Sequence, residues 1–441
     1  MAHESTASYN GRMSAHQRWM IAIASTGGAL EVFDFVIYGF FAQNIGRAFF
    51  SASTGIAPAT LSFLVLATGQ VARLTGGMLL GRLGDLYGRR LVFAASAMIA
   101  GISTLLIGVI PPYAVLGIAA PVLLILLRIA QGFCLGGELP GAVIYAVETA
   151  HARRGLLCGV VFFAVNIALL LASGGNLLLH MLLTPAQIDM YGWRIGFLAG
   201  GVFGLASFFL RRNLTETDEY IREFRAHSNE PLRVLFSAQL APTVRGVAAA
   251  SLVGVSGGLL VAHLPAWLQA LHYDSASIAR AQLFYVLLIS FGILATARLG
   301  DCIPRRYVFR AGTVMWMVFA PLFYLAVHAH VASLTLLFSA AAVVASFVNG
   351  TYACAIAEMF SVDVRFSGLA MAINLGLAIP MGIAPLVASL LSAHLRSSIA
   401  PALPIVACAM FAFTASFGMN RDASSQIART RRGASLSAGS E

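Results

Sequence analysis

Arg82-Leu83-Gly84-Asp85, followed by Arg89-Arg90, returns 216 residues later as Arg298-Leu299-Gly300-Asp301, followed by Arg305-Arg306. Each copy closes one long apolar stretch and precedes the next. A second echo places Glu148 ahead of Arg154 and Glu358 ahead of Arg365. Two halves repeating in the same orientation are the pattern of a parallel repeat in large membrane carriers. Reading outward from the repeat, twelve apolar stretches can be marked, from 19–42 and 58–81 to 366–391 and 401–418. Most are too long for strands, and a lipid-spanning segment must satisfy its own backbone, so they read as helices. The expected fold is an all-α membrane protein of twelve transmembrane helices in two pseudo-symmetric six-helix bundles. The expected boundaries are an N-terminal tail 1–18, a first bundle 19–210, a central loop 211–245, a second bundle 246–419 and a C-terminal tail 420–441.

Composition agrees. The chain has 441 residues, 59% of them hydrophobic and only 10% charged, with a mean hydropathy of +0.83. A soluble protein carries about 25% charged residues, so a soluble enzyme is excluded, and disorder with it. The net charge is +10, and the 28 basic residues are all Arg. They are spread between apolar stretches and form no single patch, which points to membrane topology and away from nucleic acid. The tails and even-numbered connections, Arg211 and Arg212 among them, hold 22 Arg, against four (Arg47, Arg194, Arg280, Arg396) in the opposite loops. This bias predicts cytoplasmic termini and a cytoplasmic central loop in a bacterial inner membrane. Asp218 and Arg222 form an i,i+4 pair in that loop, with Thr215 as a candidate helix cap. The five Cys are scattered, with no metal-ligand spacing. No zinc-protease, nucleophile-elbow or phosphate-cradling motif occurs, so neither a cofactor nor an enzyme is expected.

Gly81-Arg-Leu-Gly-Asp-Leu-Tyr-Gly-Arg-Arg90 resembles the signature of the major facilitator superfamily. Ala29-Leu-Glu-Val-Phe-Asp-Phe-Val-Ile-Tyr-Gly39, Arg128-Ile-Ala-Gln-Gly-Phe-Cys-Leu-Gly-Gly-Glu138, and Gly192-Trp-Arg194 followed by Arg211-Arg-Asn-Leu-Thr-Glu-Thr-Asp-Glu-Tyr220 resemble its metabolite:proton symporter branch. That branch includes citrate, tricarballylate and α-ketoglutarate symporters and a proline/betaine transporter. The resemblance implies pairing of the first-helix Asp34 with the fourth-helix Arg128. It also implies that Asp85 faces the N-terminal dipole of the eleventh helix and latches the outward-open state.

The residues themselves carry a parallel reading. A charge in hydrocarbon costs about 2.5–3.5 kcal/mol on insertion scales, so such groups pair or line a water-filled path. Glu31, Asp34 and Tyr38 share one face of the first span. Gln70 and Arg73 lie one turn apart on the second, and Arg128, Gln131 and Glu138 share a face of the fourth. Asp34 and Arg128 fall at matched depth, about 12–18 Å from the outer end of their spans, with Arg73 at about 22 Å. Protonation of Asp34 would break an ion pair with Arg128, the kind of switch that alternating access needs. Glu31, Asp34, Arg128 and Glu138 are therefore the candidate proton-coupling groups. A planar donor such as Arg73 suits a carboxylate. Tyr38, Gln70, Arg73 and Gln131, with Asn349, Tyr352 and Asn374 from the second half, are the candidate substrate contacts. Asp85, Arg89, Arg90 and Glu148, with Asp301, Arg305 and Glu358, form the candidate cytoplasmic gate.

The function expected is proton-coupled symport of a small organic acid, a di- or tricarboxylate such as citrate, by a monomer in the lipid bilayer. The alternative is symport of a zwitterionic osmolyte such as betaine or proline. The organic acid ranks first because the Ser- and Arg-rich segment from Asn420 shows no apolar heptad of an osmosensing coiled coil. A transport-inactive sensor on the same fold is a third reading.

Overall fold

The computed structural model describes residues 15–51, 58–149, 153–216, 220–221, 231–395 and 397–419. Most of the expected N-tail, the C-tail, the Asp218–Arg222 pair and the side chain of Glu31 lie outside the described residues. Among the described residues every regular element is helical. The first half comprises α1 (Gln17–Phe40), α2 (Thr60–Tyr87), α3 (Arg89–Val109), α4 (Ala119–Thr149), α5 (Arg154–Leu182) and α6 (Pro185–Arg211). The second comprises α7 (Leu240–His263), α8 (Ser275–Cys302), α9 (Arg305–His328), α10 (Leu334–Ala357), α11 (Val362–Leu395) and α12 (Ala400–Ser416). The first eleven are long and apolar enough to cross a membrane; α12 is shorter.

Two features differ from the sequence expectation. Helix α7 begins at Leu240, inside the stretch 211–245 assigned to the loop, and a short helix, Pro231–Ser237, precedes it. Helix α10 is interrupted: Leu334–Asn349 ends at Gly350-Thr351, and Tyr352–Ala357 starts afresh. Asn349 and Tyr352 therefore do not share the face that an unbroken i,i+3 spacing implied.

The molecule is apolar outside and charged inside. Leu64, Val71, Leu126, Leu171, Phe203, Phe291 and Phe411 are exposed, while Asp34, Arg73, Arg128, Glu138 and Arg211 are buried. A water-soluble fold reverses this arrangement; a lipid-embedded one requires it. Without a hydrophobic drive between helices, close packing holds them. Helices α2 and α4 touch backbone to backbone: a Cβ on Gly132 would overlap Gly69, and one on Gly76 would overlap Phe133. Gly101 of α3 and Gly204 of α6 meet in the same way.

Gly88, at φ +106°, lets the chain leave α2 and enter α3 at once. Its counterpart Pro304 has φ −53° and precedes α9, after α8 has ended at Cys302. The Pro ring fixes φ in the ordinary negative range, so the second copy enters its helix without a left-handed residue.

Among the described residues, hydrogen bonds joining the halves lie at the Arg-rich ends of the helices and reach inward as far as Asn374. Beyond it, α11 from Ile379 to Leu395 buries only Ala384 and Ala388. The halves are thus held together by hydrogen bonds at the Arg-rich end, while the far part of α11 is largely exposed.

Candidate functional site

Asp34 on α1 and Arg128 on α4 meet in the first bundle. Arg128 Nη1 donates to Asp34 Oδ2 at 2.8 Å and to Gln131 Oε1 at 2.5 Å. Gln131 Nε2 donates to Thr104 Oγ1 at 2.6 Å, and Thr104 lies 3.4 Å from Asp34 Oδ1. The guanidinium sits 3.8 Å above the ring of Tyr38, whose hydroxyl donates to the Ser62 carbonyl at 3.1 Å. This contact places a cation on the ring's negative face. Arg128 Nε and Nη2 find no hydrogen-bond acceptor among the described residues. The pair is buried yet opens onto two small cavities. One is lined by Asp34, Thr104, Gln131 and Glu138; the other by Asp34, Gln70, Arg73, Arg128 and Gln131.

Glu138 lies on the first cavity with both oxygens engaged. Oε2 accepts from Arg211 Nη1 at 2.6 Å and Oε1 from Ser96 Oγ at 2.7 Å. Arg211 was counted among the loop arginines; it is instead the last residue of its helix, fully buried, with its guanidinium 3.9 Å over the Phe93 ring. A buried carboxylate must find a counter-charge, and the end of α6 supplies it.

Arg73 Nε donates to Asn374 Oδ1 at 2.8 Å. Asn374, expected as a substrate contact, spends its amide on protein: Nδ2 donates to the carbonyls of Gly136 at 2.9 Å and Ala370 at 2.8 Å. Tyr352 is fully buried against Phe162, ring centroids 5.3 Å apart, and the half-buried Asn349 donates to Ala345 in its own helix at 2.9 Å. The structure does not bring these two to the cavities around Asp34. The apolar packing of Tyr352 and the helix break between them are the reason.

At the Arg-rich end, Asp85 caps α11. Its carboxylate accepts from the backbone N–H groups of Phe366 (3.1 Å) and Ser367 (2.8 Å), from the Ser367 hydroxyl (2.6 Å) and from Arg89. Arg89 also donates to the Val362 carbonyl at 2.8 Å and lies 3.5 Å from Glu148. Glu148 accepts from Arg365 at 3.1 Å. The second half repeats the construction. Asp301 accepts from Gly155 N (2.8 Å) and Leu156 N (2.9 Å) at the start of α5, and Arg305 bonds both Asp301 (2.7 Å) and Glu358 (2.5 Å). Each carboxylate therefore sits on the positive end of a helix from the opposite half. Arg90 is not part of this network: it is exposed, and it donates to the Arg212 carbonyl at 2.7 Å. Glu216 takes the backbone N–H groups of Arg89 and Arg90 instead.

The sequence reading missed Thr104, Ser96 and Ser367 as partners. Ser96 and Thr104 stand eight residues apart on one face of an apolar helix, a signal that was available. Asp85→Asn keeps an acceptor but loses the charge at the α11 terminus, and is expected to lower stability by about 1–2 kcal/mol. Thermal denaturation of detergent-solubilised protein, with hydrogen exchange at Phe366 and Ser367, checks this; unchanged protection there would contradict it.

Residues 20–251 match the family described as "Sugar (and other) transporter". The chain belongs to this family of the major facilitator superfamily. The transporter is 30% identical over 431 residues to the proline/betaine transporter of Salmonella typhimurium, covering 92% of this chain and 84% of that one. It is likewise 30% identical over 416 residues to the Escherichia coli K12 proline/betaine transporter, covering 89% and 81%. Among solved structures it is similar in fold to the proton:xylose symporter XylE bound to 6-bromo-6-deoxy-D-glucose, with a TM-score of 0.74 at 17% identity over 92% of this chain and 95% of that one.

Proposed function

We propose that the protein is a proton-coupled symporter of a small zwitterion of the proline and betaine class. The observation that carries this reading is the buried Asp34–Arg128 pair, opening on the cavity that Arg73 and Gln70 also line. The relatives' names support the zwitterion and reverse the order in which the sequence ranked substrates, citrate first. The cavities carry charges of both signs, which suits a ligand carrying both; a tricarboxylate would meet carboxylates at Asp34 and Glu138.

In this reading Asp34 takes the proton, and Arg128, released from it, turns its donors to the cavity. Arg73 holds the substrate carboxylate, with Tyr38, Gln70 and Gln131 shaping the site. Glu138 pairs with Arg211 and serves the packing of α6. Glu31 neighbours Asp34 along α1 and is assigned to the same proton path. Asp85, Arg89, Glu148, Asp301, Arg305 and Glu358 form the gate. The Arg distribution supports a cytoplasmic gate and cytoplasmic termini in a bacterial cell, and the contacts at the Arg-rich end are then the closed inner face of an outward-facing carrier. One chain builds the whole path and works as a monomer.

Proteoliposomes with an acidic exterior test this. Labelled glycine betaine or proline should accumulate, the accumulation should vanish with a protonophore, and excess citrate should not compete. Citrate accumulation with indifference to betaine would restore the organic-acid reading; no uptake of either would favour a sensor.

A further inference from the structure

Asn374 joins the two halves near mid-membrane. It is buried at the first residue of a π-helical segment, Asn374–Ala378, a widened turn often found at functional positions. Its bonds to Arg73 Nε and to the Gly136 carbonyl both cross from α11 to the first bundle. Gly77 makes room for it: a Cβ there would overlap Asn374 Nδ2. The Arg73 side chain that holds Asn374 also lines the cavity with Asp34 and Gln70. One guanidinium thus faces the substrate space on one side and grips the opposite bundle on the other.

We propose that Asn374 is a latch between the bundles, read by the substrate through Arg73. The proposal rests on the reading above, that Arg73 meets a carboxylate. A carboxylate competes well with the neutral Asn374 oxygen for Arg73, because it adds charge–charge attraction and can accept two guanidinium N–H groups in parallel. Substrate entering the cavity draws Arg73 towards itself, and Asn374 loses its cationic partner across the interface. The latch lies deeper in the membrane than the Asp85 and Asp301 gate, next to the ligand, so it is the contact that registers occupancy. It holds the empty carrier shut at the Arg-rich end and keeps it from cycling with a proton alone. Asn374 is then a positioning residue and not a substrate ligand.

The chain carries its own reporter. Cys158 on α5 and Cys354 on α10 are buried against each other between the halves, so their reaction with a membrane-permeant maleimide reports opening of that interface. In the full chain with Cys134, Cys302 and Cys408 replaced by alanine, Asn374→Ala and Gly77→Ala break the same contact from opposite bundles. Both should raise the labelling rate of the empty protein about tenfold, the effect expected of one hydrogen bond to a charged group. Asn374→Ser, which keeps a short polar group, should fall between, and reconstituted Asn374→Ala should leak protons without substrate. Glycine betaine should speed labelling of the otherwise unmodified chain and add little in Asn374→Ala. Melting in detergent identifies the folded variants. An unchanged rate in any folded variant that breaks the contact overturns the latch. Fast labelling in the variants, with betaine having no effect on the unmodified chain, supports the latch but overturns its control by a carboxylate on Arg73.

Discussion

Asp34→Asn is expected to abolish proton-driven accumulation of substrate while leaving exchange of labelled for unlabelled substrate intact. Asparagine is neutral, so like a protonated Asp34 it lacks the charge that holds Arg128 Nη1, now 2.8 Å from Asp34 Oδ2, and it neither gains nor loses a proton. Arg128 retains Gln131 and the Tyr38 ring in either case. The variant therefore behaves as a carrier fixed in its protonated form. One pH unit supplies about 1.4 kcal/mol, a tenfold concentration ratio, and 100 mV acting on the co-transported charge adds about 2.3 kcal/mol. Under both gradients the native protein should concentrate a zwitterion more than about a hundredfold, and Asp34→Asn not at all. Parallel uptake and counterflow in proteoliposomes separate the two activities. Accumulation that survives the substitution would remove Asp34 as the proton carrier.

The second large effect concerns Arg211 and Glu138. Arg211→Met leaves the Glu138 carboxylate in the membrane interior with the Ser96 hydroxyl still donating to it and its counter-charge gone. Breaking a buried pair on one side costs about 3–5 kcal/mol. Replacing both partners, Glu138→Leu with Arg211→Met, removes the charge problem and should recover most of that loss, since well-packed apolar groups substitute for buried pairs at little cost. The measurement is a double-mutant cycle on melting in detergent, with proton-driven uptake followed in the double variant. Additive losses would show that the two residues act independently. Loss of proton coupling in a stable double variant would return Glu138 to the proton path.

These two sites show how far sequence could be read. Asp34 and Arg128 were legible as a pair because they carry opposite charge at matched depth on two apolar helices, and a charge in lipid must be answered. Glu138 was legible as a charge needing an answer, but its partner was hidden. Arg211 sits next to Arg212 at a helix end, where charge counting along the chain assigns it to the loop. Only the rotation of α6 turns its guanidinium inward.

The sequence by itself determined the twelve-helix plan, its twofold repeat, the Arg-rich ends and the short set of charges sunk in lipid, because each of these is a property of one helix or one loop. The tertiary structure decided the partners. Glu148 and Arg154 are near neighbours in the chain, as are Glu358 and Arg365, yet Glu148 bonds Arg365 at 3.1 Å and Arg154 approaches Glu358 at 3.9 Å. Asn374 likewise looked like an open polar group until α11 was set against α2 and α4. Periodicity fixes which face of a helix a residue occupies; which other helix that face meets depends on how two bundles dock, and no single segment records it.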